Sequence, residues 1–187
     1  GLVRDAAGSG PTRGGVCLFE SVIGGEKVGR YSFLAASPTL RFSARRNEVT
    51  IEDLTGGASK TLKTFSDPDP LNAFRAYFQN SVATTDTLPP FVGGAIGYAG
   101  YDVVRYVENL PNAPEDDRDL PDLDFAFYHN VCVFDHVDKT IVVVVLADCR
   151  AVTSETQAAA AYAQAISDVE STVKTLSTSV PEEAEGP

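Results

Sequence analysis

The chain has 187 residues, which is enough for one domain and short for two. Apolar residues make up 43% of it and charged residues 22%, as in an ordinary globular protein with a buried core. The 15 basic and 26 acidic side chains give a net charge of −11, and no cluster of Lys or Arg offsets it. Because such a charge repels phosphate backbones, we expect no nucleic-acid partner.

From the sequence we expect neither a membrane span nor a signal peptide. Its longest apolar run, residues 141–147, is far too short to cross a bilayer, and the first residues lack a cationic and then apolar stretch. Cys17, Cys132 and Cys149 are odd in number and form no CxxC pattern, which is typical of a reducing compartment. We therefore expect a cytoplasmic protein without membrane contact.

Both ends of the chain have the composition of flexible segments. Residues 1–15 are rich in glycine and are expected to form a mobile N-terminal segment. Residues 177–187 are rich in Ser, Pro and Glu and are expected to be a linker or tail. Since the chain begins with Gly1 and has no Met, we interpret it as part of a longer protein.

Short alternating segments predict an antiparallel meander in the first half of the chain. Leu40, Phe42 and Ala44 alternate with polar residues, which is the period of a half-buried strand over residues 39–45. Glycine pairs and Asn47 supply turns between such segments. Further strands are predicted at residues 16–22, 31–36, 49–52 and 60–65.

Two longer helices are predicted. Asp69 is placed to cap a helix that begins at Pro70, and Ser154 to cap a second, Ala-rich helix that ends near Leu176. The first helix carries an apolar stripe formed by Leu71, Phe74, Tyr77 and Phe78.

The second half of the chain alternates between glycine-rich, acidic and apolar segments. Residues 93–100 match no phosphate-binding pattern and predict a strand whose glycines permit close backbone approach. A short helix is predicted at 101–107 and an exposed acidic loop at 108–124. Residues 125–134 and 140–146 predict a hairpin whose second strand is central and buried on both faces. This order predicts an α+β fold, mainly an antiparallel, sandwich-like sheet with two longer helices.

Most of the reactive side chains have a simple structural interpretation. His129, Cys132 and His136 lie within eight residues of each other, but no nearby fourth ligand completes a zinc site. We therefore predict no metal site, and packed or surface histidines instead. The acids of the loop are expected to be solvated, which leaves their pKa values unsuited to general acid catalysis.

Three polar side chains form a candidate binding site. Glu20 and Ser21 lie at the end of the first predicted strand, and Arg30 directly precedes the second. If these strands pair antiparallel, the three residues lie near one end of the pair. Glu suits an ammonium group, whereas Ser and Arg suit a carboxylate, so the set fits a free amino acid. An ordinary surface salt bridge across the turn is the alternative.

Several segments together resemble the N-terminal domain of anthranilate synthase component I. Each segment alone is unspecific, but their joint order over residues 16–176 is typical of that family. Aminodeoxychorismate synthase component I shares much of the pattern. The matching segments are residues 18–21 (LFES), 29–33 (GRYSF), 91–98 (FVGGAIGY) with Tyr101 and Asp102, Pro121 with Asp122, and 134–136 (FDH).

The resemblance implies a carbon–oxygen lyase that converts chorismate to anthranilate for tryptophan biosynthesis, with ammonia delivered by a glutamine amidotransferase subunit. It places chorismate, Mg²⁺ and every catalytic residue in a C-terminal domain outside this chain, so the chain alone is expected to be inactive. Residues 16–176 would be the N-terminal domain, which carries much of the feedback site for tryptophan. The Glu-Ser pair of that site matches Glu20 and Ser21, and its basic residue matches Arg30.

Two other functions stay open from the sequence. The chain could be the N-terminal domain of aminodeoxychorismate synthase component I in the folate branch, where tryptophan would be a fixed structural ligand. It could also be a non-enzymatic scaffold that docks a glutamine amidotransferase through the acidic loop. The sequence departs from the family at Phe19, where Leu is usual, and before Val16, where the helical start is not recognisable.

Overall fold

The structure is a computed structural model that describes residues 15–20, 29–55, 58–78, 87–112 and 115–178. Its helices are α1 (Pro70–Phe78), a 3₁₀ helix (Tyr101–Tyr106) and α2 (Glu155–Thr178). No helix among these residues is long and apolar enough to cross a membrane. The strands are β1 (Cys17–Phe19), β2 (Tyr31–Ala35), β3 (Leu40–Arg45), β4 (Glu48–Asp53), β5 (Lys60–Ser66), β6 (Gly94–Ala99), β7 (Leu123–Tyr128), β8 (Asn130–Asp135) and β9 (Thr140–Val145).

The strands form two antiparallel sheets. The first sheet has the order β1-β2-β8-β9, and the second has the order β5-β4-β3-β7-β6. Ala35, Val131 and Val133 of the first sheet share a buried cluster with Tyr128 of the second, so the two sheets have a common core. The predicted α+β fold, mainly antiparallel with two longer helices, is thereby confirmed.

Helix α1 packs on the second sheet through its aromatic side chains. The Phe74 ring stacks on Phe125 of β7 at a centroid distance of 4.4 Å and meets Phe42 of β3 edge-on at 5.2 Å. The predicted cap is present, because Asn72 N donates a 3.0 Å hydrogen bond to Asp69 Oδ1. Helix α2 ends two residues beyond the predicted Leu176, at Thr178, and so includes the start of the expected linker.

The predicted strand over residues 125–134 is wrong, because the chain changes sheets within it. β7 belongs to the second sheet and β8 to the first, and His129 alone separates them. The bend is held by Leu146 N, which donates a 2.7 Å hydrogen bond to the His129 carbonyl. Both halves contribute to the shared core, so the run is apolar on either side of His129 and Asn130, and these two polar residues alone do not predict a change of sheet. The acidic loop is correspondingly shorter than predicted, since β7 already begins at Leu123.

The prediction that residues 140–146 form a central strand is also wrong. β9 lies at the edge of the first sheet and pairs only with β8 among the described strands. Its first half is exposed, with Ile141 at 52% of its full accessibility, and α2 packs against the strand. An apolar run indicates two potentially buried faces, but it does not determine which neighbours the strand acquires.

The glycine-rich segment forms strand β6, as predicted. It pairs antiparallel with β7, and Gly97 lies opposite Phe125. A Cβ atom on Gly97 would come within 1.9 Å of the Asp124 carbonyl oxygen. The glycine is therefore required for the close approach of the two backbones.

Candidate functional site

The sequence-predicted site lies at one end of the first sheet. β1 and β2 pair antiparallel, with Phe19 opposite Phe33, so the assumed pairing is confirmed. The exposed residue Glu20 directly follows β1, and Arg30 directly precedes β2. Both residues consequently lie at the same end of this strand pair. Ser21 lies outside the described residues, as does the rest of segment 21–28, including the predicted end of the first strand.

The Arg30 guanidinium is held in place by two aspartates that follow in the chain more than a hundred residues later. Its Nε donates a 2.9 Å hydrogen bond to Asp135 Oδ2, and its Nη2 donates a 2.9 Å bond to Asp138 Oδ2. The guanidinium carbon lies 5.0 Å from the ring centroid of Tyr31, in cation–π range. The side chain is 49% exposed, and Nη1 has no hydrogen-bond partner among the described residues.

These contacts give Arg30 surface ion pairs, as the alternative interpretation of the site expects, but with partners other than Glu20. A salt bridge across the β1–β2 turn would join Arg30 to Glu20, but the ion pairs of Arg30 cross the sheet to the turn that follows β8. The sequence could not show this, since the partners come from the other end of the chain.

Asp135 organises that turn. Its Oδ1 accepts hydrogen bonds from the backbone nitrogens of Val137 at 2.9 Å and Asp138 at 3.1 Å, while Oδ2 accepts the bond from Arg30. The Arg30 hydrogen bond, together with these backbone bonds, lowers the pKa of the Asp135 carboxyl to about 2. The carboxylate is therefore ionised throughout the physiological range and fixes the position of Arg30.

A second polar pair lies beside Arg30. Ser32 Oγ and His136 Nε2 are joined by a 2.8 Å hydrogen bond. In addition, His136 N donates a 2.8 Å hydrogen bond to the Arg30 carbonyl. Ser32 is buried, so this serine–histidine pair offers no surface for nucleophilic attack on a substrate and instead holds β2 to the turn.

Sequence reasoning missed four of these residues as parts of the site. Two local patterns point to a turn here: the segment 134–136 (FDH) and the spacing of Asp135 and Asp138, which is typical of an Asx turn. Neither pattern shows that these aspartates pair with Arg30. The missed residues are Ser32, Asp135, His136 and Asp138.

Acidic side chains outnumber basic ones by one among the described residues at this end of the sheet. Glu20, Asp135 and Asp138 contribute three anions, whereas Arg30 and the exposed Lys139 contribute two cations. The cluster is therefore suited to the ammonium group of a ligand at Glu20, whereas the two aspartates offset much of the positive potential at Arg30. A ligand carboxylate would approach through the open Nη1 group.

The histidines and cysteine considered as metal ligands do not form a common site. His129 is at the bend between the sheets, Cys132 is buried in β8, and His136 is bonded to Ser32. Burial, and then the charge of Arg150, lower the pKa of His129, while burial raises the pKa of the Cys132 thiol. Within the described parts of the chain, no three His, Cys, Asp or Glu side chains are grouped so that they could hold a metal ion.

The acidic loop is exposed over residues 115–120, as predicted, but several of its carboxylates are paired with other elements. Arg45 Nη2 donates a 2.7 Å hydrogen bond to Asp116 Oδ2 and also bonds Asp119. Asp122 Oδ2 accepts a 2.8 Å hydrogen bond from Tyr106, whose pKa rises because of burial and this carboxylate. Arg45 and Tyr106, from neighbouring elements, therefore hold the loop against the second sheet.

Comparisons with known proteins place the chain in a family. The family described as chorismate binding enzyme matches residues 26–186. Anthranilate synthase component 1 of Acetivibrio thermocellus is 38% identical over 129 residues, which cover 68% of this chain and 25% of that protein. Aminodeoxychorismate synthase component 1 of Bacillus subtilis (strain 168) is 33% identical over 125 residues, which cover 66% of this chain and 24% of that protein.

A solved structure agrees with these sequence matches. The crystal structure of anthranilate synthase component I from Streptococcus pneumoniae TIGR4 superimposes with a TM-score of 0.59 at 25% identity, covering 89% of this chain and 34% of that one. The chain spans about a quarter of the length of the curated relatives that it matches. The resemblance stated from the sequence motifs is confirmed, and the chain belongs to the chorismate binding enzyme family.

Proposed function

We propose that this chain is the regulatory N-terminal part of an anthranilate synthase component I, a cytoplasmic lyase that makes anthranilate from chorismate, and that it binds tryptophan as a feedback inhibitor. The observation that carries the proposal is the position of Glu20 and Arg30 at one end of the β1–β2 pair, beside a turn that fixes Arg30. The relatives named anthranilate synthase component 1 support the reaction class.

The proposed site binds the two charged ends of the amino acid separately. Glu20 is exposed and accepts the ammonium group. The Nη1 group of Arg30 binds the carboxylate, and the Ser21 hydroxyl adds a hydrogen bond there. Asp135 and Asp138 act as positioning residues, because they hold the guanidinium without blocking Nη1.

Inhibition requires that tryptophan binds two arrangements of the enzyme with different affinities. In this proposal the chorismate site, its Mg²⁺ and the catalytic residues lie in a further domain, so the chain alone is inactive. A glutamine amidotransferase subunit supplies ammonia to that domain. Tryptophan at the end of the first sheet stabilises the inactive arrangement of the two domains.

The test is calorimetry of tryptophan binding to the full-length protein that contains this chain. Glu20→Ala and Ser21→Ala are expected to weaken binding about tenfold or more, since each removes a hydrogen bond to a charged group. Glu48→Ala changes an exposed glutamate of the second sheet and serves as the control. Unchanged affinity in both Glu20→Ala and Ser21→Ala would exclude these residues from the site.

A second candidate is the N-terminal part of aminodeoxychorismate synthase component I. It is favoured by the 33% identity to the Bacillus subtilis protein of that name. A product assay on the full-length protein separates the two functions, because anthranilate is fluorescent, whereas the alternative 4-amino product requires a lyase before it yields an aromatic amine. Absence of both products would favour the non-enzymatic scaffold.

A further inference from the structure

The two charged groups of the proposed tryptophan site are held by different parts of the first sheet. Glu20 directly follows β1, and the pairing of β1 with β2 sets its place in the sheet. The guanidinium of Arg30, in contrast, is held by Asp135 and Asp138 of the turn after β8. The distance between the Glu20 carboxylate and the Nη1 group of Arg30 consequently depends on how this turn is attached to the start of β2.

His136 makes two attachments between the turn and the start of β2. Its backbone nitrogen donates a 2.8 Å hydrogen bond to the Arg30 carbonyl, and its Nε2 lies 2.8 Å from Ser32 Oγ. The two bonds flank Tyr31, whose ring centroid is 5.0 Å from the guanidinium carbon of Arg30. The same histidine therefore fixes the backbone from which the Arg30 side chain projects and the residue that follows its aromatic neighbour.

The Ser32 hydroxyl depends on a protein partner. Ser32 is 5% exposed, and the residues that follow it in β2, Phe33 and Leu34, are apolar. A buried hydroxyl that loses its hydrogen bond is destabilising, because water cannot take the place of the missing partner. His136 supplies this bond from a half-buried position at the end of β8. The serine–histidine bond therefore opposes any shift of the turn relative to β2.

The bond to Ser32 requires a side chain of defined length. The strand register places Ser32 opposite Phe134, so His136 lies two residues away from the directly opposite position. Its ring spans this diagonal with Nε2, the ring nitrogen that is farther from the backbone. A glutamine carries its terminal amide at a comparable distance from the backbone, whereas the amide of an asparagine ends near the position of Nδ1. The two amides therefore differ in their ability to reach Ser32.

We propose that His136, through Ser32, sets the distance between Glu20 and the Arg30 guanidinium, and so acts as a positioning residue for the tryptophan site. The identity of the ligand rests on the proposed function, whereas the attachment of the turn rests on the contacts above. A site whose charged groups are already correctly spaced binds its ligand more tightly, since less ordering accompanies binding. His136 exerts this effect without touching the amino acid.

Calorimetry of tryptophan binding to the full-length protein tests this role with two substitutions of one residue. His136→Asn keeps a polar amide but withdraws it from Ser32, and it should weaken tryptophan binding about tenfold. His136→Gln restores a group that reaches Ser32, so its affinity should stay within about threefold of the unmodified protein. His129→Asn changes the histidine at the other end of β8 and is the matched control, with unchanged affinity expected.

A double-mutant cycle shows whether His136 acts through Ser32. Ser32→Ala removes the hydroxyl and should by itself weaken tryptophan binding. When Ser32→Ala is already present, His136→Asn should add less than about a twofold loss, because the bond between the two side chains no longer exists. Losses that simply multiply in the double variant would contradict this coupling.

Amide hydrogen exchange provides a readout that needs no ligand. The amide of residue 136 donates to the Arg30 carbonyl, so its exchange rate reports how firmly the turn is attached to β2. We expect faster exchange at this amide in His136→Asn and in Ser32→Ala than in the unmodified protein. His136→Gln should exchange at nearly the unmodified rate, because its side chain restores the bond to Ser32.

Two results would overturn the proposal. Equal tryptophan affinities of His136→Asn and the unmodified protein would mean that the attachment of the turn does not set the site. Equal losses in His136→Asn and His136→Gln would mean that packing of the ring, rather than its bond to Ser32, is what matters. If the unmodified protein binds no tryptophan, the proposed function itself fails, and the exchange rates then decide whether His136 fixes the turn to Arg30.

Discussion

Arg30 Nε donates a 2.9 Å hydrogen bond to Oδ2 of Asp135, a residue 105 positions later in the chain. The bond links the residue before β2 to the last residue of β8, and so ties together the strands that border the candidate site. It also explains why the Asp135 pKa is lowered to about 2. The orientation of Arg30 consequently depends on the pairing of β2 with β8.

This relationship predicts an acid-dependent loss of stability. The unfolded pKa of an aspartate is about 4, so the stabilisation from Asp135 is present above that pH and is lost as the pH falls toward about 2. Asp135→Asn should lower the free energy of unfolding at pH 7, and its difference from the unmodified protein should shrink between these two pH values. Urea unfolding across that range measures it. Asp138→Asn, at an exposed residue, should have the smaller effect at pH 7.

The close contact of Gly97 with β7 predicts that replacing this glycine strongly destabilises the fold. Gly97→Ala places a Cβ atom 1.9 Å from the Asp124 carbonyl oxygen, and backbone atoms cannot rotate away. We expect a loss of about 3 kcal/mol or more in the free energy of unfolding. Gly100→Ala is the control, because its Cβ would be 3.4 Å from the Asp122 carbonyl and its φ is an ordinary −70°. Equal stability of the two variants in urea would contradict the strand pairing described here.

The Arg41 ion pair across the second sheet predicts a difference between arginine and lysine. Arg41 binds Asp124 in a bidentate manner, with Nε–Oδ1 at 2.6 Å and Nη2–Oδ2 at 2.5 Å, and Nη1 lies 3.4 Å from Glu52 Oε2. A lysine cannot form this pair of bonds, so Arg41→Lys should lower the free energy of unfolding by about 1–3 kcal/mol.

The matching substitution at an exposed pair is the control for Arg41. Arg150 bonds Asp148 at 2.6 Å, and both side chains are about half exposed. Arg150→Lys should therefore change the free energy of unfolding by less than about 1 kcal/mol. If Arg150→Lys lowered the free energy of unfolding as much as Arg41→Lys does, the partial burial of the Arg41 pair would not be the reason for its larger contribution. Urea unfolding at pH 7 measures both variants.

The histidine at the bend between β7 and β8, His129, predicts a second dependence of stability on pH. Burial, and then the nearby Arg150, lower the pKa of His129 relative to its unfolded value of about 6.5. The unfolded chain therefore binds the proton more readily, and stability should fall as the pH decreases below about 6.5. His129→Asn should flatten this slope in unfolding experiments between about pH 7 and 5.

A variant of Arg150 tests how much the charge of this residue contributes to the lowered pKa of His129. Arg150→Met removes the nearby positive charge but leaves His129 half-buried, so the pKa of His129 should rise only part of the way toward its unfolded value. Proton NMR titration of the His129 ring follows this shift directly. A His129 pKa at or above the unfolded value in the unmodified protein would contradict the partial burial of this residue.

The candidate site shows where sequence reasoning succeeds and where it stops. The placement of Glu20 and Arg30 at one end of a strand pair follows from the two predicted strands and their connection. The partners of Arg30 do not, because Asp135 and Asp138 come from a turn that local patterns cannot align with β2. Likewise, the acidic composition of the loop predicted its exposure over residues 115–120, but not its ion pairs, because Arg45 comes from a strand more than seventy residues earlier.

By itself, the sequence determined which residues form strands and helices and which of their faces are apolar, because alternation, caps and turn residues act within a few positions. The alternating segment that became β3 and the Asp69 cap of α1 are examples. Only the tertiary structure decided that the chain crosses between sheets at His129 and that β9 is an edge strand. Those outcomes depend on which distant backbone groups complete each strand's hydrogen bonds, and every apolar strand is locally compatible with several such partners.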